Sequence, residues 1–186
     1  MQKILLGGEI GIGEDSLLIR LAKEISLPLY GVRTIMYPDR TDPKTGGAKI
    51  YMYPAAADPD AYPDSEENYV GACTGKIREI NKDIFRTFGL QLLSDIPTEA
   101  AVVVDEIGFF ESDVPEYTKR IFEILEDDHP FLGVIKTRYE DPFLTRVRHY
   151  PTISYYQVTK ENRESLFEEL ALTVRSWSVS KNTKQS

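Results

Sequence analysis

The segment GGEIGIGEDS, close to the amino terminus, has glycines at the spacing used by phosphate-binding loops. The Walker A pattern G-x-x-x-x-G-K-[ST] surrounds phosphate with backbone N–H groups, and adds a lysine for the phosphate oxygens and a hydroxyl for magnesium. Gly8 and Gly13 supply the two glycines of the pattern, and Gly11 lies between them. Glu14 and Asp15 occupy the lysine and hydroxyl positions. The segment therefore predicts a phosphate-binding turn with acids at two critical positions.

Glu14 is the residue that most disfavours a bound triphosphate. Two unit charges about 4 Å apart interact by about 4 kcal/mol at an effective dielectric constant of 20, so reversing one sign changes the energy by about 8 kcal/mol. Even a quarter of this, about 2 kcal/mol, weakens triphosphate binding by more than about tenfold. Asp15 differs because a carboxylate can ligate magnesium in place of the hydroxyl. Alternatively, Asp15 and Ser16 cap the following helix.

A second acidic pair ends the apolar run AVVV in AVVVDEIG. This is the form of a Walker B strand, in which the first acid, Asp105, orders water around magnesium. The second acid, Glu106, then orients or deprotonates the attacking water. Many buried strands also end in acids because the chain returns to solvent there. Glu111 either caps the helix that starts near Asp113 or joins the carboxylate cluster.

Three basic residues are candidates to replace the missing lysine. Lys136 and Arg138 follow the predicted strand FLGVI, and Arg33 is a weaker candidate. A cation in this place would neutralise the transferring phosphate. The alternative for all three is an ordinary solvated charge.

The elements that must position these residues alternate between strand and helix patterns. We expect helices from residue 17, over 77–93, 115–126 and 141–150, and a last one capped by Asn162; strands are expected over 2–6, 29–37, 48–53, 101–104, 131–137 and 152–158. This order predicts an α/β three-layer sandwich, with a mainly parallel sheet covered by helices on both faces. The segment 29–53 reads as a β-hairpin inserted into it.

The chain of 186 residues, 41% of them hydrophobic, fits one domain, which we place at 1–178. The acidic, proline-rich segment 54–68 is expected to be an exposed, mobile loop, either a lid or a plain insertion. Residues 179–186 are expected to form a flexible tail.

Composition excludes several classes of function. The net charge of −8 and the scattered basic residues argue against a nucleic-acid partner. The single cysteine, Cys73, cannot form an internal disulfide, and no apolar run has the length of a membrane span. We expect a soluble, cytoplasmic protein.

With these motifs in order, the sequence resembles the small P-loop nucleoside-triphosphatases first described from thermophiles, and the related cancer-associated nucleoside-triphosphatases. The resemblance rests on KILLGGEIGIG, INKDIFRTFGLQLL, VVVDEIGFFES, PFLGVIKTRYEDPFLTRVR and YYQVTKENRESL. It implies a P-loop fold and magnesium-dependent hydrolysis of ATP, GTP and other nucleoside triphosphates. It also implies that Asp105, Glu106 and Glu111 lie near the metal and the attacking water, and that Lys136 and Arg138 lie near the phosphates.

Three functions remain open on the sequence. The first is a degenerate P-loop protein in which nucleotide binding is weak or lost and hydrolysis is impaired. The second is an active nucleoside-triphosphatase or phosphotransferase, in which Lys136 or Arg138 neutralises the phosphate and Asp15 helps to hold magnesium. The third is a non-catalytic interaction module that uses the hairpin and the loop 54–68.

Overall fold

One mixed sheet organises the protein. The computed structural model describes residues 2–9, 11, 13–75, 78–137 and 140–180. Within these residues the strands are β1 (Lys3–Gly8), β2 (Leu29–Thr41), β3 (Ala48–Pro54), β4 (Tyr69–Cys73), β5 (Arg78–Ile80), β6 (Ala101–Ile107), β7 (Phe131–Lys136) and β8 (Ile153–Val158). Their order across the sheet is β5-β4-β3-β2-β6-β7-β1-β8. Strands β2, β6, β7, β1 and β8 are parallel, whereas β3, β4 and β5 extend the sheet in antiparallel pairs.

Helices cover both faces of this sheet. They are α1 (Glu14–Lys23), α2 (Leu90–Leu92), α3 (Pro115–Glu126), α4 (Pro142–Arg148) and α5 (Arg163–Ser180), and a π-helical turn (Phe85–Gly89) leads into α2. Helices α1 and α5 pack on one face, and α2, α3 and α4 pack on the other. The predicted three-layer α/β sandwich with a mainly parallel sheet is confirmed.

The β-branched and leucine-rich runs explain why the parallel strands are central. In β1, Ile4 and Leu6 face α1 and α5, whereas Leu5 faces the opposite layer. Successive side chains of a strand point to opposite faces, so a run without polar residues can be buried on both. The valines of β6 divide between the two layers in the same way.

A buried lysine fixes the start of β1. Lys3 is almost fully buried, and its Nζ donates hydrogen bonds to the backbone oxygens of Ile124, Asp127 and His129 at 2.7 to 2.8 Å. Burial lowers the pKa of Lys3, while Asp127 opposes that shift. These bonds tie the strand that leads into the glycine loop to the end of α3.

The predicted helix over 77–93 is wrong in its first part. Residues Arg78–Ile80 form the edge strand β5, and helical structure begins only at residue 83, passes through the π-helical turn Phe85–Gly89 and ends with α2 at Leu92. Ile77 lies outside the described residues.

Strand β4 was not predicted, because Gly71 interrupts its apolar run. At φ +144 this glycine lets the backbone oxygen of Glu79 approach closely, since an added Cβ would lie 2.0 Å from it.

The sequence predicts Asp141 as the cap of the helix over 141–150, with Pro142 in its first turn, and Asn162 as the cap of the last helix. The cap of α4 is confirmed, because Oδ1 of Asp141 accepts hydrogen bonds from the amides of Phe143 and Leu144. Before α5 the prediction is wrong. The amide of Asn162 donates to Oγ1 of Thr159, and Oδ1 of Asn162 accepts from the amide of Thr159. This reciprocal pair closes the turn before α5, and the Asn162 side chain is bonded to Thr159 instead of to an amide of the first helical turn.

The predicted hairpin forms between β2 and β3, with both strands slightly longer than expected. The loop 54–68 that follows is largely exposed, although Asn68 is buried. Asp64 anchors this loop to the hairpin through Oη of Tyr53 at 2.7 Å and Nη1 of Arg40 at 2.8 Å.

At the other end of the chain, α5 continues to Ser180. Residues 181–186, predicted as part of a flexible tail, lie outside the described residues.

Gly31 permits the pairing of β2 with β6. It has φ +119, and an added Cβ would lie 2.0 Å from the backbone oxygen of Val103. This pairing places the charged residues of β2 beside the acids of β6, so the functional edge depends on the glycine.

We predict that Gly31→Ala lowers the free energy of unfolding by about 3 kcal/mol or more, because both backbone strain and a backbone clash are introduced. Gly46→Ala is the matched control: Gly46 also has positive φ, +67, but nothing lies within 4 Å of an added Cβ. The control should lose only about 1 kcal/mol. Urea unfolding measures both changes, and equal losses would contradict the close approach at Gly31.

Candidate functional site

The carboxyl edge of the parallel strands brings the predicted motifs together. Gly8 at the end of β1 pairs with Lys136 at the end of β7, and Asp105 of β6 pairs with Arg33 of β2. Ligands of open parallel sheets bind beyond this edge. The glycine loop, the acidic pair and two of the three candidate cations therefore share one site. The third candidate, Arg138, lies outside the described residues.

The glycine loop connects this edge to α1. Oγ1 of Thr137 donates to the backbone oxygen of Gly8 at 2.6 Å and joins the loop to the end of β7. Gly11 and Gly13 have φ +80 and +92, values that favour glycine. Gly13 is also the N-cap residue of α1. The loop therefore has the turn conformation and the helix N-terminus that a phosphate-binding site requires.

The acids after this turn lie within the first turn of α1. Glu14 is only 7% exposed, whereas Asp15 and Ser16 are exposed. The N-cap residue is Gly13, which makes no side-chain hydrogen bond to the helix, and Glu14 and Asp15 lie in its first turn as the capping alternative expects. Acids in the first turn are still favoured by the helix dipole. Burial keeps the Glu14 carboxylate close to the loop instead of turned out into solvent.

Asp105 and Glu106 both face the site, although neighbours on a regular strand point to opposite faces. Both side chains line the same cavity, and the pairing of β6 with β7 shifts register between Val104 and Ile107. Asp105 is 6% exposed, and burial, followed by the charge of Asp15, raises its pKa to about 7. Nε of Arg33, 3.5 Å from Oδ2 of Asp105, opposes this shift.

Lys136 and Glu106 form a close ion pair, with Nζ 2.5 Å from Oε2. Burial raises the pKa of Glu106, and Lys136 opposes that shift. Burial also lowers the pKa of Lys136, but Glu106, followed by Asp15 and Glu14, raises it above its ordinary value. Lys136 is thus the counter-ion of several acids at once.

Glu111 is part of the same carboxylate group. It is 3% exposed, and its Oε1 accepts a hydrogen bond from the amide of Gly108 at 2.7 Å. Burial raises the pKa of Glu111 to about 8, and the charge of Glu106 adds to the shift. Helix α3 begins at Pro115 without a side-chain cap, so the alternative that Glu111 caps it is wrong.

The residues predicted to bind magnesium offer part of a coordination sphere. Among the described residues no group of three or more histidines, cysteines or acids is arranged to hold a metal on its own. Magnesium is usually held by one or two carboxylates, with phosphate oxygens and waters as its other ligands. Asp105 and Asp15 repel each other, and a cation between them would relieve that repulsion. These two residues therefore fit the metal as a partial ligand set.

Arg163, at the start of α5, is a cation of this loop that sequence reasoning missed. An added Cβ on Gly13 would lie 2.7 Å from Nη1 of Arg163, so the guanidinium lies against the backbone of the last loop glycine. The signal in the sequence was the arginine of VTKENR, but nothing local indicated that α5 begins beside the glycine loop. Arg163 adds positive charge on the side of the loop away from β6.

A cavity of about 660 Å³ opens from the acidic pair toward the antiparallel strands. Its lining comes from α1, β2, β4, β5, β6 and β7, and from the residues that follow β4 and β6. The residues are Asp15, Ile19, Arg33, Thr34, Ile35, Met36, Cys73, Thr74, Gly75, Arg78, Asp105, Glu106, Gly108, Phe109, Phe110 and Lys136.

The parallel sheet, the glycine turn before α1 and the acidic end of β6 define a P-loop nucleoside-triphosphatase-like protein. A sequence model of the family described as NTPase matches residues 3–171. The chain therefore belongs to this small P-loop nucleoside-triphosphatase family.

Individual relatives agree with this assignment. The nucleoside-triphosphatase THEP1 of Pyrococcus abyssi is 27% identical over 177 residues, which cover 93% of this chain and 92% of that protein. THEP1 of Methanocaldococcus jannaschii is 24% identical over 178 residues, with 90% and 94% covered. The crystal structure of THEP1 from Aquifex aeolicus shares the fold with a TM-score of 0.65 at 18% identity, covering 91% of this chain and 96% of that one. The solution structure of a human cancer-related nucleoside triphosphatase gives 0.63 at 18% identity, with 95% and 98% covered.

Within the described part of the chain, the helices all fall short of the length and apolarity needed to span a membrane.

We predict that Glu111→Gln stabilises the protein at high pH. The ordinary pKa of this carboxyl is 4.5, and in the folded protein it is about 8. Between these values the folded chain holds a proton that the unfolded chain has lost, so stability falls as pH rises through the window. The glutamine keeps the hydrogen-bond acceptor for Gly108 without the charge. It should raise the free energy of unfolding by up to about 4 kcal/mol at about pH 9 and change it little at about pH 4.

Urea unfolding across this pH range measures the effect in the presence of a chelator. Asp113→Asn is the control, because the hydrogen bond from Lys82 lowers the pKa of the exposed Asp113. Its replacement should give no gain at high pH. A Glu111→Gln variant that shows no gain at about pH 9 would contradict a buried, protonated Glu111.

Proposed function

We propose that this chain is a nucleoside-triphosphatase-family protein in which binding of ATP and GTP is weak and hydrolysis is impaired. The observation that carries the proposal is the buried carboxylate of Glu14 at the lysine position of the loop. The γ-phosphate would meet negative charge where working P-loops present an ammonium group.

Burial makes this substitution more costly than an exposed acid would be. Solvent screens exposed charges strongly, and it screens buried charges much less. Glu14 is buried, and its charge raises the pKa of both Lys136 and Glu106. The repulsion expected from the sequence is therefore not relieved by rotation of the side chain into bulk water.

Lys136 is the best candidate to replace the loop lysine, but it already forms an ion pair. Lys136 pairs with Glu106, and Arg33 pairs with Asp105. When all are ionised, the four carboxylates of Glu14, Asp15, Asp105 and Glu106 face three cations once Arg163 at the loop is counted with Lys136 and Arg33, which leaves a formal excess of one negative charge. An incoming triphosphate must break or share these ion pairs, and each pair is worth more in a buried site than in water.

The residues needed for hydrolysis are otherwise present. Asp105 and Asp15 would hold magnesium, which when bound neutralises charge on the phosphate oxygens. Glu106 would orient the attacking water, although its pairing with Lys136 weakens it as a base. The backbone amides at Gly11 and Gly13 would contact phosphate. Residual activity at a low rate is consistent with this set.

A second candidate is an active enzyme in which Lys136 takes the role of the loop lysine. The observation that favours it is the pairing of Lys136 with Gly8, which places this side chain at the start of the loop. In this case the Lys136 ammonium leaves Glu106 when the triphosphate binds, and Glu106 becomes available as the base.

The proposal includes a cytoplasmic location and no nucleic-acid partner. The net charge of −8 supports the second point, because the surface repels polyanions. The interaction-module hypothesis stays a third alternative, supported by the exposed loop 54–68 and the hairpin next to it.

We predict that the double variant Glu14→Lys, Asp15→Ser binds Mg-ATP and Mg-GTP at least about tenfold more tightly than the wild type. The variant restores the ammonium and the hydroxyl of the Walker A pattern and removes the acidic repulsion. Calorimetric titration measures the affinity, and phosphate release is measured in parallel. We expect weak binding and slow release by the wild type.

The matched control is Glu168→Lys, Glu169→Ser, two exposed acids of α5 with the same total change of charge. If the control gains as much affinity, net charge and not the loop explains the effect. Tight binding and turnover by the wild type would contradict the proposal. Turnover that is then lost in Lys136→Gln would establish the second candidate.

A further inference from the structure

The cavity beside the glycine loop shares Asp105, Glu106 and Lys136 with the site described above and extends it into a region whose chemistry differs from that of the loop. It is lined by Asp15 and Ile19 of α1 but by none of Gly8, Gly11 and Gly13. From the acidic pair it extends toward β2 and the β4–β5 turn, the extension that the antiparallel strands add to the sheet. We propose that this cavity binds a nucleoside monophosphate.

Two arginines supply the recognition of phosphate. Arg33 and Arg78 both line the cavity, one from β2 and one from the edge strand β5. Guanidinium groups bind phosphate oxygens through paired N–H donors, which a lysine cannot do. The antiparallel extension is what brings Arg78 to the same cavity as Arg33.

Aromatic and apolar side chains supply the recognition of a base. Phe109 and Phe110 pack edge to face in the turn after β6, with ring centres 4.6 Å apart. The guanidinium of Arg78 lies 4.4 Å from the ring centre of Phe109. Met36 is 45% exposed and lines the same cavity, so a large apolar side chain faces its open space. A planar base can stack on these groups.

Size and charge select a monophosphate over a triphosphate. The cavity volume of about 660 Å³ is within the range of pockets that enclose one small ligand. Asp105, Glu106 and Asp15 line it together with Lys136, and two of these acids already pair with Arg33 and Lys136, so a chain of phosphates would compete with the acids for these cations. A single phosphate can be held by Arg33 and Arg78 without itself contacting the carboxylates nearby.

This site does not depend on the proposed weakness of the glycine loop. A wild type that bound Mg-ATP tightly would overturn the proposed function without deciding whether a monophosphate binds, because the AMP titration is made without triphosphate. Conversely, a cavity that bound no monophosphate would leave the measured affinity of the loop unchanged.

The test is calorimetric titration of the wild type with AMP, in a chelator and without triphosphate. We expect one bound AMP per chain, and binding of adenosine and of inorganic phosphate at least about tenfold weaker, because each has only half of the recognised groups. Phosphate that binds as tightly as AMP would overturn the role of the aromatic groups. Adenosine that binds as tightly would overturn the role of the arginines.

Variants locate the ligand. Arg78→Gln and Phe109→Leu should each weaken AMP binding by at least about fivefold, because one removes the charge and the other the ring. The control Arg146→Gln removes a similar pair elsewhere, since Arg146 lies 4.0 Å from the ring centre of Phe122 on α4 and α3 and does not line the cavity. It should bind AMP as the wild type does. AMP binding that is lost in Arg163→Gln and kept in Arg78→Gln would place the ligand on the glycine loop and overturn the proposal.

Cys73 provides a readout that needs no variant. It is the single cysteine of the chain, it is half-buried, and it lines the cavity. Saturating AMP should slow its alkylation by iodoacetamide by at least about threefold, because a ligand in the cavity covers the thiol. An unchanged alkylation rate at saturating AMP would overturn the proposed position.

Discussion

The functional edge depends on the enclosure of several carboxyl groups in a small, poorly solvated space. Asp105, Glu106 and Glu111 are buried there, and burial is the largest cause of the raised pKa of each. The Lys136–Glu106 ion pair is the main compensation, at 2.5 Å. Removal of the Lys136 charge would leave buried carboxylates without a partner, which is strongly unfavourable. Lys136 is thus held in place by the acids that it neutralises.

This constraint connects the fold to the proposed loss of function. The parallel strands β1, β6 and β7 must be buried on both faces, so their ends deliver polar residues into a space shielded by helices. In a working P-loop that shielding strengthens the attraction between lysine and phosphate. With Glu14 in the same position it strengthens repulsion instead. The same shielding from solvent therefore makes the Walker A lysine effective in working P-loops, and we propose that it makes Glu14 at that position unfavourable for phosphate here.

Much of the fold was predictable because it depends on local patterns. The β-branched run of β6, the alternation of strands and helices and the Asp141 cap all follow from short-range rules. The glycine loop and Asp105 with Glu106 were predictable for the same reason. The structure could not be predicted from the sequence where it depends on contacts between residues that are far apart in the chain. Strand β5 exists because Gly71 lets β4 approach it, and Arg163 reaches Gly13 because of how α5 packs against α1.

The excess of carboxylates at this edge of the sheet should make the site bind a cation more readily than a polyphosphate. The most direct test compares two calorimetric titrations of the wild type at about pH 8, one with magnesium alone and one with ATP free of metal. We expect measurable binding of magnesium, lost in Asp105→Asn, and no measurable binding of metal-free ATP. Binding of metal-free ATP without any binding of magnesium would contradict this expectation.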